Sequence, residues 1–286
     1  MRFIKYLLQF IFIGLIFIIF RIIGLKLSRS FGSKIFLLLG PFFRSKKIIE
    51  KNLLNAFSEK DELSRKVIIN NMWKSYGKIF AEYLFIKYFR EDNTKKYIEV
   101  KGQEILDKIK TSKDPVIFIS GHFDNFELMA MHIERSGVDL AAIYRPLNNY
   151  FLNPIMETIR KKYICHKQIK KGISGTKEIL KYYKSGTSVA LMIDQRVSEG
   201  IRSSFFQKKA LTTTIPAQFV KKFKCNIVPI HIERKADQKF LLEIMKPLYF
   251  DNDQSIENIT LKLNQVLEKM IIKNPHQWIW SHNRWK

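Results

Sequence analysis

Short apolar runs alternate with longer helical patterns from residue 97 onward, and this alternation constrains the fold more than any other feature of the chain. The apolar runs have the length of strands, and the segments between them repeat apolar residues at helical spacing. The predicted strands are 97–101, 115–120, 140–144, 188–193, and a hairpin of 226–233 with 239–246; the predicted helices are 102–112, one following 120, 154–163, 175–184, 215–223, and a last helix capped by Asp251 or Asp253 that runs to about Lys273. We therefore predict an α/β fold, a single domain with a mostly parallel or mixed sheet flanked by helices.

The N-terminus carries a second strong pattern, because residues 6–20 contain no charge and consist mostly of Leu, Ile and Phe. With residues 22–25 the apolar length approaches the roughly 20 residues that cross a bilayer. We predict a membrane-anchoring helix; a cleaved signal peptide, a monotopic anchor and a buried core helix are the alternatives, although no small-x-small cleavage site follows. More basic residues follow this segment than precede it, which favours a main body on the cytoplasmic side of the membrane.

These patterns divide the chain into three parts. Residues 1–26 are predicted as the N-terminal membrane anchor, 27–96 as a helical membrane-proximal segment and 97–286 as the α/β core. Helices are expected at 45–57 and 62–89, followed by a turn at 91–94.

The chain is strongly basic, with 50 Lys and Arg against 26 Asp and Glu in 286 residues, a formal net charge of +24. Such a field attracts anionic lipid, acidic proteins or nucleic acid, although compositional bias alone can also produce it. The two cysteines, Cys165 and Cys225, lie far apart without metal-ligand spacing, which favours a reducing compartment and predicts no metal site.

The segment 121–127 (GHFDNFE) joins a predicted strand to a predicted helix and contains the best candidate for catalysis. His122 is a candidate general base, and Glu127 a candidate partner that fixes its tautomer, with Asp124 and Asn125 as alternatives. Five residues correspond to about 140° around a helix, so Glu127 can reach the ring only if His122 lies before the helix begins. The alternative is that His122 is an ordinary polar turn residue.

Two further groups of polar residues follow predicted strands, where open α/β sheets place ligand-binding side chains. Residues 144–149 (YRPLNN) offer Arg145 and Asn148, and arginine suits phosphate or carboxylate. Asp194 ends another strand, and Arg196 and Arg202 lie in a basic segment that we predict as a glycine-bearing loop. No Gly-x-Ser-x-Gly elbow and no Walker loop is present, which lowers the expectation of an α/β-hydrolase or a nucleotide-binding protein.

In their order along the chain, these motifs resemble the bacterial lipid A biosynthesis acyltransferases, the Kdo2-lipid A lauroyl/myristoyl group of the lysophospholipid acyltransferase superfamily. The resemblance rests on a His-x4-Glu motif, a Tyr-Arg-Pro-x-Asn-Asn block and an Asp-Gln strand end, with flanking segments at both ends of the chain. These segments are His122 with Glu127, residues 144–149, 194–195, 205–206, 210–213, 52–57 and 275–286.

The resemblance implies a single-step acyl transfer without a cofactor. His122, oriented by Glu127, would deprotonate a hydroxyl of a lipid A precursor for attack on an acyl thioester, with acyl carrier protein as the expected donor. Arg145, Asn148, Asp194, Arg196 and Arg202 are the predicted substrate-binding residues. The expected partners are the carrier protein, an anionic lipid acceptor and a Gram-negative inner membrane, without nucleic acid. The alternatives are an acyltransferase acting on a lysophospholipid or another glycolipid, and a non-catalytic protein that binds anionic membranes.

Overall fold

A seven-stranded, mostly parallel sheet forms the centre of the computed structural model, which describes residues 2–92, 94 and 96–286. Within those residues the strands of the sheet lie in the order β1-β9-β8-β2-β5-β3-β4. Their bounds are β1 Ile98–Lys101, β2 Ile117–Ser120, β3 Leu140–Tyr144, β4 Lys167–Lys170, β5 Ser188–Met192, β8 Ile227–Arg234 and β9 Phe240–Ile244. Of the pairs in this sheet, β8 with β9 is antiparallel and the others are parallel. The predicted α/β class and the predicted hairpin are therefore confirmed.

Helices flank the sheet, and the first four α-helices of the described residues precede it in the chain. Their bounds are α1 Arg2–Phe43, α2 Lys46–Ala56, α3 Glu62–Glu82, α4 Ile86–Arg90, α5 Gln103–Ser112, α6 Glu127–Arg135, α7 Asn153–Ile159, α8 Ile173–Lys184, α9 Ile215–Phe223 and α10 Ile256–Lys273. The helix α10 is capped by Ser255, whose hydroxyl accepts the Asn258 N–H, so the predicted Asp251 or Asp253 cap is wrong. Ser255 caps the helix because its extended backbone places its hydroxyl oxygen beside the free N–H of Asn258.

The predicted loop around Arg202 is instead a two-stranded antiparallel hairpin, β6 (Ile201–Phe205) with β7 (Lys208–Thr212). Its buried side chains alternate with more exposed ones along β6, as expected for strands with one face on the core. The turn takes left-handed backbone at Phe206 and Gln207, with φ of 49° and 60°. Because neither position carries the glycine or asparagine that usually marks such a turn, the hairpin was missed.

The long helix α1 is interrupted at Gly24, where φ is 76° and ψ is 170°. The segment 2–23 before the break would be about 33 Å long as a regular helix, close to the apolar thickness of a bilayer. Its side chains are mostly exposed, and α1 alone among the helices of the described residues is long and apolar enough to span a membrane. The segment after the break packs along α3.

Two glycines let α1 and α3 approach closely. A Cβ on Gly32 would lie 2.3 Å from the carbonyl oxygen of Gly77, and one on Gly77 would lie 1.9 Å from that of Gly32. Both distances are far below van der Waals contact, so each position requires a residue without a side chain. This crossing fixes the second part of α1 to the body of the protein. Of the predicted turn at 91–94, Asn93 lies outside the described residues, and the Thr94 N–H donates to Asp92 Oδ1.

Candidate active site

A cavity of about 830 Å³ opens at the carboxyl ends of the central strands. His122 follows β2, Arg145 follows β3 and Asp194 follows β5, the edge at which open α/β sheets bind ligands. Polar side chains line one part of the cavity, among them His122, Glu127, Arg145, Arg160 and His282. Apolar side chains line another part, and these include Phe118, Met129, Ile133, Ala142, Ile164 and Ala190.

The apolar part lies between the sheet and α6. Phe118, Ala190 and Ala142 are paired across three adjacent parallel strands, so their side chains share one face of the sheet. The helix α6 covers that face, because the Ser120 hydroxyl, two residues along the same face, contacts the Met129 sulfur at 3.3 Å. Small side chains at 142 and 190 leave room in the middle of the sheet for an apolar ligand.

His122 is held by Asp194 through two hydrogen bonds. Its ring Nδ1 lies 2.8 Å from Asp194 Oδ1, and its backbone N–H donates to Oδ2 at 2.7 Å. The carboxylate accepts, so Nδ1 carries the proton of the neutral ring and Nε2 is left with a free lone pair. The helix α6 begins at Glu127, so His122 lies outside the helix, as the spacing argument required.

Asp194 is fully buried, and its second oxygen also accepts the indole N–H of Trp278 at 2.9 Å. Burial alone would raise the pKa of Asp194. The His122 ring, the His122 N–H and the Trp278 indole outweigh that effect and lower the pKa below its ordinary value. Asp194 is therefore an ionised partner of the His122 ring. The sequence predicted it as a substrate-binding residue, and the geometry instead gives it the orienting position.

Glu127 was predicted to orient His122, and the structure corrects this prediction. The Glu127 carboxylate accepts from Arg160 Nε at 2.9 Å and from its terminal nitrogen at 2.5 Å, and from the Tyr83 hydroxyl at 3.2 Å. The ring Nδ1 and the backbone N–H of His122 both bond to Asp194, because the end of the neighbouring strand β5 lies beside His122. Glu127 thus lies in the same cavity as His122 but binds Arg160.

Arg160 is a site residue that sequence reasoning missed. It begins a π-helical turn, Arg160–Ile164, that ends α7, a distortion often found at functional sites. Its guanidinium lies 5.5 Å from the centre of the Tyr144 ring, and one terminal nitrogen is buried without a hydrogen-bond partner in the described part of the chain. Burial alone would lower its pKa, but the Glu127 charge raises it above the ordinary value, so Arg160 is permanently cationic. Nothing in the RKKYI sequence separates Arg160 from its exposed lysine neighbours.

The other predicted substrate-binding residues occupy different places. Arg145 lines the cavity and is exposed, whereas Asn148 is exposed and lies outside the cavity wall. Arg196 and Arg202 also lie outside that wall, and Arg202 projects from the exposed side of β6. Their contact with a substrate therefore remains a prediction.

A buried ionic network supports the turn that carries His122. Arg234 binds two carboxylates, Glu82 at 2.5 Å and Asp124 at 2.6 Å, and Glu82 also binds Arg29 of α1 at 2.6 Å. Asn125 donates to Glu82 at 2.9 Å. Asp124 has a left-handed φ of 34°, an unfavourable conformation that the two bonds from Arg234 stabilise. Asp124 and Asn125, the alternative partners of the base, thus hold the turn instead.

The comparisons with known proteins identify the family of this chain. The sequence profile of the bacterial lipid A biosynthesis acyltransferases matches residues 1–286. The chain belongs to this family. Among its curated relatives, the lipid A biosynthesis lauroyltransferase of Escherichia coli is 26% identical over 85% of this chain and 79% of its own length. The Haemophilus influenzae lipid A biosynthesis acyltransferase is 24% identical over 85% and 78%, respectively.

Two further similarities complete the comparison of this lipid A biosynthesis acyltransferase family member. The Escherichia coli lipid A biosynthesis palmitoleoyltransferase is 23% identical over 89% of this chain and 83% of its own length. The crystal structure of the 1-acyl-sn-glycerophosphate acyltransferase PlsC from Thermotoga maritima covers 90% of this chain and 100% of its own, with 15% identity and a TM-score of 0.42. The match of the family profile to residues 1–286 confirms the resemblance predicted from the ordered motifs.

Proposed function

We propose that this member of the family transfers a fatty acyl chain from an acyl thioester to a hydroxyl of a lipid A precursor, with His122 as general base and Asp194 as the residue that orients it. One observation carries the proposal. A cavity with a carboxylate-bound imidazole at its polar part continues into an apolar part between the sheet and α6. A base next to an apolar space suits a reaction between a hydroxyl and a fatty acyl group.

The reaction needs one proton acceptor. Nε2 of His122 removes the proton of the acceptor hydroxyl as its oxygen attacks the thioester carbonyl carbon. The tetrahedral intermediate then collapses, the carbon–sulfur bond breaks, and the imidazolium returns the proton to the leaving thiolate. Asp194 stabilises the imidazolium between these two steps. Because the acceptor oxygen attacks the thioester directly, no covalent acyl-enzyme is required.

The polar part of the cavity provides for an anionic acceptor. Arg160 keeps a donor nitrogen that has no partner among the described residues, and Arg145 lies exposed at the cavity. Guanidinium groups bind phosphate with paired hydrogen bonds, so we assign the phosphate groups of the acceptor to these two arginines. Glu127 holds Arg160 in place and partly neutralises it while the site is empty.

An acidic acyl carrier protein is the donor that the charge distribution favours. The cavity edge carries a basic rim, the exposed residues Arg44, Arg145, Lys170 and Lys171. A positive rim attracts an acidic carrier and speeds its encounter with the cavity. Reversing the rim charge in Lys170→Glu/Lys171→Glu should raise KM for the carrier-bound donor several-fold and change KM for the coenzyme A thioester of the same chain much less.

We further propose that α1 anchors the protein in the inner membrane, with the core on the cytoplasmic face. The exposed apolar side chains of the segment 2–23 would meet lipid tails there, and basic residues follow them on the core side. The expected result is retention in the membrane fraction, resistant to high salt and released by detergent.

The test is an acyl-transfer assay with purified protein, acyl carrier protein thioesters and a panel of acceptors. The panel contains a lipid A precursor, a lysophospholipid and a mannosylated inositol lipid. We expect transfer to the lipid A precursor, and loss of that transfer in His122→Ala with membrane binding retained. Preferred transfer to another acceptor would reassign the substrate, and full activity of His122→Ala would refute the mechanism.

A further inference from the structure

A second imidazole faces the cavity from the C-terminal segment, and the mechanism above leaves it unused. His282 lines the same cavity as His122. The backbone around it is fixed, because the Asn52 side chain donates to the carbonyl oxygens of Trp280 at 2.8 Å and His282 at 2.6 Å. Asn52 and Trp280 are both buried, so this segment forms part of the cavity wall.

One hydrogen bond determines which ring nitrogen of His282 carries the proton. The backbone N–H of Arg196 donates to Nε2 at 3.1 Å. A backbone amide can only donate, so Nε2 must accept, and the neutral ring therefore has its proton on Nδ1. Nδ1 has no hydrogen-bond partner in the part of the chain that the structure describes, and it is not among the buried unpaired atoms.

The ring is held neutral by its surroundings. Burial lowers the pKa of His282, and nearby positive charge, including that of protonated His122, lowers it further against the opposing effect of Asp194. A neutral imidazole N–H is a known form of electrophilic catalyst, since it can stabilise a developing oxyanion by hydrogen bonding. Arg196 follows Asp194 by two residues, so the bond to its N–H ties the His282 ring to the loop that holds the base.

We propose that His282 is a catalytic residue whose Nδ1–H donates a hydrogen bond to the oxyanion formed from the thioester carbonyl oxygen. The inference rests on the acyl transfer proposed above. The bond forms as the acceptor oxygen adds to the carbonyl carbon and weakens as the carbon–sulfur bond breaks. The proton stays on Nδ1 throughout, so His282 contributes electrostatic stabilisation while His122 carries the proton from the acceptor oxygen to the leaving sulfur.

Two substitutions separate this role from a structural one. In His282→Gln the side-chain oxygen can reach the position of Nε2 and accept the Arg196 N–H, but no donor remains at the position of Nδ1. In His282→Asn the amide N–H can occupy the position of Nδ1, but the bond to Arg196 is lost. Steady-state kinetics with a carrier-protein thioester and the best acceptor measure the loss of kcat in each variant. Thermal unfolding measures its loss of stability.

We expect His282→Gln to unfold at the wild-type temperature and to lose about 10²–10³ in kcat with little change in KM, the usual effect of removing one oxyanion donor. We expect His282→Asn to unfold at a lower temperature and to retain more kcat than His282→Gln. An active His282→Gln beside an inactive His122→Ala overturns the role of His282 while the proposed function stands. The reverse order, with His282→Asn the weaker enzyme, also overturns it. Wild-type protein without transfer to any acceptor refutes the proposed function itself.

Discussion

His122 and Asp194 lie side by side because the strands that carry them are aligned two residues earlier, where Ser120 pairs with Met192. Parallel neighbours β2 and β5 therefore deliver both side chains to the same edge of the sheet, and the 2.8 Å bond between them follows from strand register. The base and its partner are 72 residues apart in sequence. The sheet, rather than a local motif, positions the His122 imidazole.

The first prediction concerns this bond. Asp194→Asn keeps the size of the side chain but presents an amide, which favours the wrong tautomer of His122 and cannot stabilise the imidazolium. The corresponding change in serine proteases lowers kcat by about 10⁴, and we expect a loss of about 10³-fold or more here. Steady-state kinetics at pH 7 measure it. Activity of Asp194→Asn within tenfold of wild type would show that another residue orients the base.

Glu127 and Arg160 are predicted to act as a pair. Glu127→Gln should free Arg160 and weaken its placement, so the main effect should be on KM for the anionic acceptor, with a smaller effect on kcat than that of Asp194→Asn. Arg160→Lys removes the paired hydrogen bonds and should raise the same KM. In a double-mutant cycle the two losses should be far from additive, because the side chains share two bonds. Additive losses in the double variant would show that Glu127 and Arg160 act independently.

The sequence could predict most strands and most helices because their apolar runs are bounded by clear turns, and Leu140–Tyr144 and Ile215–Phe223 have the predicted bounds. It could also single out His122, since the residue follows a buried strand. It could not assign the partner of His122, because that depends on which strands are neighbours. Glu127 was the predicted partner, with Asp124 and Asn125 as alternatives, whereas Asp194 was predicted to bind substrate. Arg160 escaped detection for the same reason: its partner, Glu127, is 33 residues away.

Short polar strands were the least predictable elements. β4, Lys167–Lys170, contains a single apolar residue, Ile169, and lies at the edge of the sheet, where one side of the strand remains unpaired. An edge strand needs little apolar surface, so it leaves almost no periodic signal. Its position therefore followed from tertiary packing alone.

The crossing of α1 and α3 gives a stability prediction. Gly77→Ala would place a methyl group 1.9 Å from the Gly32 carbonyl oxygen, so the helices must separate, at a cost of about 1–3 kcal/mol. Gly14→Ala is the matched control, since within the described residues no atom outside its chain neighbours and its own helix backbone lies within 4 Å of its Cβ position. Thermal unfolding in detergent should show a lower midpoint for Gly77→Ala than for Gly14→Ala. Equal midpoints would mean that the two helices do not pack closely.

Ala190 provides a test of the apolar part of the cavity. Leucine at this position would fill the middle of the sheet face next to Phe118 and Ala142. We expect Ala190→Leu to shift donor preference towards shorter acyl chains, since each methylene that no longer fits changes discrimination by about 1–3 kcal/mol. Competition between carrier-protein thioesters of different length measures the shift. Retained activity on the shortest donor is the control for folding, and an unchanged preference would place the acyl chain elsewhere.

The buried imidazole of His231 predicts acid sensitivity. The residue is 1% exposed, and the centre of its ring lies 4.8 Å from the centre of the Phe123 ring. Neither ring nitrogen has a hydrogen-bond partner within the described residues. Burial, together with Lys273 and against the opposing charges of Glu233 and Glu243, lowers its pKa from 6.5 to about 4. The unfolded chain therefore binds a proton that the folded protein does not, and stability falls as the pH decreases from about 6.5 towards 4.

His231→Leu should remove that part of the pH dependence. The expected gain relative to wild type is of the order of 2 kcal/mol larger at pH 4.5 than at pH 8. Unfolding midpoints at the two pH values measure it, and the pH 8 value corrects for any difference in packing. An equal effect of the substitution at both pH values would contradict the assignment of a neutral, buried His231.

The ionic network beneath the catalytic turn also sets the order in which this enzyme can mature during translation. Arg29 and Glu82 leave the ribosome early, whereas Arg234, which holds Asp124 in its unusual conformation, follows more than a hundred residues later. Until then Glu82 and Asp124 have no common cation, so burying both carboxylates beneath the turn that carries His122 is unfavourable. The N-terminal helix of a nascent chain is therefore synthesised long before the cation that stabilises the turn carrying His122.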